Sequence, residues 1–306
     1  MPDLLDKRLL FVTGKGGVGK STVALALGIA ATKRGKRTIV CEVSAQEHTS
    51  RTFRRAEIGF HEVRLRDHLW GISIDPDRSM REYVLLQVRV RAMGDILYRS
   101  RIFSYLAAAT PGLREMVTIG KIWELAQPYR RSKKGRTYDL VIVDAPATGH
   151  GIGFLQTPKT FAEIARVGPI HSQAKTIQRF VTDHERTGVA IVAMPEEMAV
   201  NESAGLEREL TDEIGIDVDR VYLNALYEER FDAAEADRIT SAAASASGAT
   251  AAALRAALSQ RRRSVAQREQ EARLRELVRA PISTLPFVFE PELGAAEIEG
   301  LAAEVV

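Results

Sequence analysis

A glycine-rich segment between an apolar run and a helix-forming run constrains this sequence most. Residues 14–21 read Gly-Lys-Gly-Gly-Val-Gly-Lys-Ser and fit the pattern G-x-x-x-x-G-K-[ST]. The apolar run 9–13 predicts a buried strand, and residues 21–33 carry apolar side chains at helical spacing. Glycines let backbone N–H groups converge on an anion, and the following helix directs its positive end at the same point. The segment Gly14 to Thr22 is therefore predicted to bind phosphate groups.

Two polar side chains of this loop have a chemical role in such a site. Lys20 supplies a positive charge to the β- and γ-phosphates of a nucleotide, and the Ser21 hydroxyl can occupy one position on Mg²⁺. The predicted phosphate-binding residues are Gly14, Lys15, Gly16, Gly17, Val18, Gly19, Lys20, Ser21 and Thr22.

The rest of the chain alternates between strand-like and helix-like segments. This alternation predicts an α/β fold with a doubly wound, mostly parallel sheet that is covered by helices on both faces. The chain is expected to form a single domain over residues 1–306, with helical additions at about 78–135 and 231–279. Further strands are predicted at 38–43, 69–74, 140–143, 189–193 and 218–223.

Composition excludes several classes of protein. The single cysteine, Cys41, rules out a disulfide framework and a thiolate metal site built from this chain alone. A net charge of +3 gives no strong field, so nucleic acid is not an expected partner. The first residues lack the features of a signal peptide, and no apolar run approaches the ~20 residues of a membrane span. A cytoplasmic location is expected.

Lys15 adds information beyond the general loop pattern. In the form K-G-G-x-G-K-S/T, the segment resembles the deviant Walker A loop of the family that includes ArsA, MinD and ParA. The resemblance implies that Lys15 reaches across a nucleotide-sandwiched dimer and touches the partner's phosphates, much as an arginine finger does. The plain alternative is an exposed loop lysine.

A second stretch narrows the resemblance to one branch. Residues 144–151 and 154–158 are similar to the D-T-A-P-T-G-H-T and F-L-Q-x-P segments of the ArsA and guided-entry (tail-anchored protein targeting) ATPases. The similarity implies that Asp144 holds Mg²⁺ through water and that His150 belongs to a switch that senses the γ-phosphate. The overall pattern is closest to the paired ArsA-like ATPases of actinobacteria, in which two related chains work together.

The resemblance continues towards the C-terminus and implies that ATP with Mg²⁺ is the ligand. Glu196 lies in a P-E-E-M segment and would approach the nucleotide, although an acidic helix N-terminus is the simpler interpretation. Asn224 matches the asparagine that reads the adenine ring, because an amide offers a donor and an acceptor together. Pro286 and Phe287 match the region that forms a wall beside the base.

The segment after the second predicted strand departs from the family pattern. Where the family has a switch aspartate that polarises water, this chain has Ser44, and serine is a poor base at neutral pH. Glu42 can substitute for it or can be an ordinary strand-end carboxylate, and Gln46 can orient water. Two functions follow: an ATPase that couples its nucleotide state to a client, or a weakly hydrolysing regulatory subunit.

The expected partner is a second copy of the chain or a paralogous ArsA-like ATPase. One cysteine cannot form the family's three-cysteine arsenite site. Residues 159–188 are too short for a Met-rich client insertion, so a membrane-protein client has weak support. The basic stretches 129–136 and 261–279 are interpreted as solvated surface, with nucleic acid or anionic membrane as the alternative contact.

Overall fold

The fold comes from a computed structural model, which describes residues 3–43, 48–53, 58–87, 98, 100, 110–129, 136–147, 150–165 and 168–306. In this part of the chain an eight-stranded sheet has the order β3-β4-β2-β5-β1-β6-β7-β8. All described neighbours pair in parallel except β3 and β4, which are antiparallel. The strands are β1 (Leu9–Thr13), β2 (Thr38–Val43), β3 (Val63–Arg66), β4 (Leu69–Ile74), β5 (Leu140–Asp144), β6 (Thr187–Ala193), β7 (Arg220–Leu226) and β8 (Ile282–Pro286).

Helices cover the sheet on both faces. The 3₁₀ turn Leu4–Asp6 precedes β1, and the π-helical turn Glu209–Ile214 continues α7. The helices are α1 (Lys20–Lys33), α2 (His48–Thr52), α3 (Pro76–Gln87), α4 (Leu113–Leu125), α5 (His150–Ile164), α6 (Pro169–Val181), α7 (Glu197–Arg208), α8 (Ala233–Ser245), α9 (Gly248–Leu277) and α10 (Ala295–Leu301).

The central strands are buried along their whole length because both faces are covered. Side chains of successive residues point to opposite faces, so Leu9 and Phe11 pack into one core while Leu10 and Val12 pack into the other. The first core includes residues of α4 to α7 and Leu274 of α9; the second includes residues of α1 and α10. Burial on both faces explains why these strands read as continuous apolar runs. The predicted α/β doubly wound fold is confirmed.

The chain order places a binding crevice beside β1. After β2, β3 and β4 the chain returns to β5, which lies between β2 and β1, and it then crosses to β6 on the other side of β1. In doubly wound sheets, ligands bind outside the carboxyl ends of the strands at such a reversal. The glycine-rich loop follows β1 directly, so it lies at this crevice.

Some elements differ from the sequence-based expectations. The 231–279 stretch forms two helices separated at Ala246 and Ser247. The elements β3, α2, α5 and α6 were not predicted. Pro158 lies inside α5, where it removes an N–H donor and argues against a helix in the sequence. The predicted basic stretch 129–136 lies mostly outside the described residues.

None of the helices among the described residues combines the length and the apolar character that a bilayer crossing requires.

Candidate nucleotide site

The loop between β1 and α1 is shaped by glycines in backbone conformations that other residues rarely adopt. Gly14, Gly17 and Gly19 have φ values of 141°, 83° and 92°. A Cβ at Gly14 would collide with the carbonyl oxygen of Val192 in β6, and one at Gly19 with the side-chain nitrogen of Asn224. The loop therefore lies tightly against the ends of β6 and β7, and glycine is required at both contacts.

The helix that follows presents its N-terminus to the loop. Gly19 caps α1 without a side-chain hydrogen bond, so the first backbone N–H groups of the helix can bind an anion. Half-buried Lys20 begins the helix and donates from Nζ to the Lys15 carbonyl oxygen at 2.9 Å. Burial lowers the pKa of Lys20, and the charge of Asp144 opposes this shift. The lysine is thus held over the loop within reach of a phosphate.

Ser21 and Asp144 meet at the adjoining ends of α1 and β5. The Ser21 hydroxyl donates to Asp144 Oδ2 at 2.5 Å. Asp144 is 5% exposed and pairs in register with Val12 of β1. Burial raises the pKa of Asp144 to about 6, although the Ser21 hydrogen bond and the charge of Lys20 oppose the rise. This pair was predicted from sequence, and the fold brings the two side chains together.

Glu42 is a second buried carboxyl group beside Asp144. The two residues are register partners on β2 and β5, so their side chains share one face of the sheet. Glu42 Oε1 accepts from the backbone N and the hydroxyl of Thr49 at 2.6 and 2.5 Å, whereas its buried Oε2 has no hydrogen-bond partner in the described part of the chain. Ser44 and Gln46 lie outside the described residues, so their predicted roles stay predictions.

Lys15 forms an ion pair within its own chain. Its Nζ lies 2.8 Å from Oε1 of Glu202 on α7, and the two side chains are 32% and 40% exposed. Sequence reasoning did not identify Glu202 as the partner of Lys15, because contact between the loop and α7 depends on the fold. Glu196 is the exposed N-cap of α7 and makes no capping hydrogen bond through its side chain. Its proposed approach to a nucleotide therefore stays a prediction.

The residues predicted to face the base lie at the ends of β7 and β8. Asn224 Nδ2 donates to the Val18 carbonyl oxygen of the loop at 2.9 Å. Pro286 is exposed, and the Phe287 ring lies 4.8 Å from Tyr227 and 4.9 Å from Phe289, measured between ring centroids. Tyr227 and Phe289 were not predicted, and only the pairing of β7 with β8 brings these rings together.

The residues present fit a magnesium–nucleotide complex. Ser21 and Asp144 offer the oxygen ligands that Mg²⁺ prefers, and Lys20 with the loop N–H groups offers positive charge for phosphates. His150 begins α5, next to Thr148 and Gly149, which are outside the described residues. The role of His150 in a switch stays a prediction.

Comparison with known proteins identifies relatives of the chain. ATPase BagA from Mycobacterium tuberculosis is 28% identical over 208 residues, which are 66% of this chain and 61% of that protein. ATPase get3 from Neurospora crassa is 29% identical over 180 residues, 56% of this chain and 50% of that protein. ATPase GET3 from Kluyveromyces lactis is 26% identical over 259 residues, 74% of each chain. The matched region thus spans less than two thirds of the first two relatives.

The sequence profile of the ArsA ATPase family, described as anion-transporting ATPase, matches residues 7–167 and 163–244. These segments contain the glycine-rich loop, Asp144 and Asn224, and together they cover well over half of the chain. The similarity to the ArsA and guided-entry ATPases, first indicated by motifs, is confirmed over residues 7–244, which include β1 to β7. The chain belongs to the ArsA family of ATPases.

Proposed function

We propose that this chain binds ATP with Mg²⁺ at Gly14 to Thr22, hydrolyses the ATP as a nucleotide-sandwiched dimer, and couples its nucleotide state to a client or partner in the cytoplasm. One observation carries the proposal. Lys20, Ser21 and Asp144 converge where β1 and β5 end, with the Ser21 hydroxyl 2.5 Å from Asp144 Oδ2. Phosphoryl transfer to water requires groups that bind the phosphates, ligands for the metal ion and positive charge, and these residues offer all three.

The proposed roles follow from the chemistry of each group. Lys20 and the loop N–H groups would bind the phosphates, while Ser21 and Asp144 would hold the metal ion, Asp144 through water. When bound, Mg²⁺ would supply positive charge that stabilises the phosphate oxygens while the bond to the departing ADP breaks. The Asn224 amide would bind the edge of adenine, and Phe287 would provide an apolar wall. Ionised Asp144 is needed for this role, and its pKa of about 6 leaves it largely ionised at neutral pH.

Dimer formation is proposed from the position of Lys15. Its ammonium group is paired with Glu202, but both side chains are partly exposed, so the pair can exchange for another anion at small cost. A phosphate of a nucleotide held by a second chain is such an anion. Lys15 would then complete the neighbouring site and place positive charge where it develops in hydrolysis.

A second candidate function is a weakly hydrolysing regulatory subunit that completes the site of a paralogous ATPase. Ser44 stands in the sequence where the family has its water-polarising aspartate. Glu42, the carboxylate that could replace it, has one oxygen bound to both the N–H and the hydroxyl of Thr49. This arrangement favours a structural role for that oxygen, and together with Ser44 it supports weak hydrolysis by this chain alone.

Steady-state ATPase measurements with Mg²⁺, combined with light scattering with and without ATP, test both candidates. The wild type is compared with Lys20→Ala, which should lose ATP binding, and with Lys15→Ala, which should bind ATP but lose turnover and dimer formation. Clear turnover that depends on both lysines supports the self-sufficient ATPase. ATP binding by a monomer with little turnover supports the regulatory subunit.

A substitution at residue 44 gives a further test that separates the candidates. Ser44→Asp should raise turnover strongly if the serine at this switch position limits hydrolysis. The substitution should change turnover little if Glu42 already serves as the base. Failure of the wild type to bind ATP at any concentration tested would refute both proposals. A membrane-protein client and a paralogous partner chain are separate questions, which co-purification with ATP and Mg²⁺ present would address.

A further inference from the structure

A β-bulge interrupts the pairing of β7 with β8 next to the candidate site. Leu223 pairs with Thr284 and Leu226 pairs with Pro286, so two residues of β7, Asn224 and Ala225, lie opposite the single residue Leu285. Ala225 has a φ of 63°, in the left-handed region that residues with a Cβ rarely adopt. The bulge therefore holds Ala225 in a backbone conformation that is unfavourable for a residue with a Cβ.

Gln267 of α9 supports the bulge through its side-chain amide. Its Nε2 donates to the Ala225 carbonyl oxygen at 3.2 Å, and its Oε1 accepts from the Tyr227 backbone N–H at 2.7 Å. One amide thus binds an acceptor and a donor of the backbone on either side of Leu226. The contact takes the place of ladder hydrogen bonds that the bulge disrupts.

α9 is itself fixed to the rest of the molecule at its C-terminal end. Leu274 is fully buried in the main core. The buried carboxylate of Glu207, on α7, accepts from the backbone N–H groups of Arg279 and Ala280 at 2.9 and 2.7 Å. Gln267 consequently extends from an anchored helix, so it can hold the bulge in one position.

The bulge determines where the Asn224 side chain points. Its Nδ2 donates to the Val18 carbonyl oxygen at 2.9 Å and leaves no room for a Cβ at Gly19. This bond also fixes the orientation of the amide, because a flipped amide would place Oδ1 against the Val18 oxygen. Bulges beside active sites commonly aim a side chain in this way.

We propose that Gln267 is a positioning residue that sets the base selectivity of the nucleotide site by holding this bulge. Held in this orientation, Asn224 can accept from the exocyclic amine of adenine and donate to N7. Guanine has a carbonyl oxygen in place of that amine, and two acceptors would then face each other. The inference rests on the proposed function, since it assumes a purine nucleotide beside the loop.

The test compares the affinities of the full-length chain for ATP and GTP, each with Mg²⁺, measured by calorimetry. Gln267→Leu removes both bonds to the bulge and keeps a side chain of similar size. We expect the ratio of ATP to GTP affinity to fall by about tenfold or more, towards that of Asn224→Ala. Affinity for inorganic triphosphate should change much less than this ratio, because Lys20 and the residues of the loop are not substituted and triphosphate has no base.

Gln270→Leu is the matched control, with the same substitution one turn further along α9. Gln270 Oε1 is buried without a hydrogen-bond partner in the described part of the chain, and it makes no bond to the bulge there. This variant should keep the wild-type ratio. In an Asn224→Ala background, Gln267→Leu should have no further effect on the ratio, since Gln267 acts through Asn224.

Gln267→Glu covers the case in which the leucine variant does not fold. A carboxylate still accepts from the Tyr227 N–H but cannot donate to the Ala225 oxygen, so the ratio should fall here as well. If a folded Gln267 variant keeps the wild-type ratio, the inference is overturned and the proposed function stands. If the wild type binds neither nucleotide, the proposed function fails and the inference falls with it.

Discussion

Asp144 meets two opposing requirements in the proposed site. A role in holding Mg²⁺ requires a carboxylate, but the position at the end of a central strand leaves the side chain only 5% exposed. Burial raises its pKa to about 6, so the protein without nucleotide bears an unfavourable buried charge at neutral pH. The Ser21 hydroxyl and Lys20 reduce this penalty without removing it.

The Asp144 pKa predicts a pH-dependent effect of Asp144→Asn on stability. The folded state holds this proton up to about pH 6, whereas an unfolded chain loses it near 3.8, so the wild type loses stability as pH rises through this window. Asparagine can still accept from Ser21 and carries no charge. The variant without nucleotide should match the wild type near pH 4 and exceed its stability by at most about 3 kcal/mol at pH 7, measured by urea unfolding.

Asp139→Asn is the control for that measurement. The Arg37 side chain, which donates hydrogen bonds to Asp139, holds the pKa of that carboxyl below its usual value. Its contribution to stability is present above the unfolded pKa and is lost as pH falls, so the neutral variant should be the less stable one at pH 7. A pH-independent difference between Asp144→Asn and the wild type would contradict the assignment of a raised pKa.

The Lys15–Glu202 pair predicts that Glu202 opposes dimer formation. Glu202→Gln removes the charge that holds Lys15 in its own chain, so less ATP should be needed to form the proposed dimer. Partly exposed ion pairs contribute about 0.2–1 kcal/mol, which corresponds to a shift of up to about fivefold in the ATP midpoint. Light scattering during an ATP titration measures this midpoint of dimer formation. Glu213→Gln removes an exposed carboxylate from the adjoining π-helical turn and should leave the midpoint unchanged; equal shifts in both variants would argue for a general charge effect.

At the scale of elements, the bulge of β7 is the most unusual backbone feature near the site. Ala225 adopts a left-handed conformation that glycine accepts readily and that β-branched residues avoid. We therefore expect Ala225→Val to destabilise the protein by about 1–3 kcal/mol and Ala225→Gly to be nearly neutral. Urea unfolding gives both values. Similar losses for the two variants would show that the conformation of residue 225 is not the limiting factor.

At the scale of the whole molecule, α9 contributes a side chain to the main core. The sequence suggested an addition at 231–279, but Leu274 is fully buried among residues of the sheet and of α7, whereas Leu277 is 43% exposed. Leu274→Ala should cost about 2–5 kcal/mol and Leu277→Ala less than about 0.5 kcal/mol. Both variants should unfold in one cooperative transition by circular dichroism and fluorescence. A separate early transition in Leu274→Ala would show instead that α9 folds independently of the sheet.

Local patterns were enough to predict the centre of the fold. The central strands are buried on both faces, so their apolar runs are visible without any knowledge of their neighbours. β3 was missed because it is short and only partly buried, and α5 because Pro158 argues against a helix. The partners Thr49, Glu202 and Gln267 lie seven to nearly two hundred residues from the groups they bind, and no local pattern indicates them.

The sequence by itself determined the glycine loop, the order of the central strands along the chain, and the chemical groups offered to a nucleotide. These depend on backbone freedom, on periodicity and on the side chains of neighbouring residues. Only the tertiary structure decided that Lys15 pairs with Glu202, that Glu42 lies beside Asp144, and that Gln267 holds the bulge that aims Asn224. The reason is that strand order and helix packing bring together residues distant in the chain, and these contacts determine the burial, charge and orientation of each group.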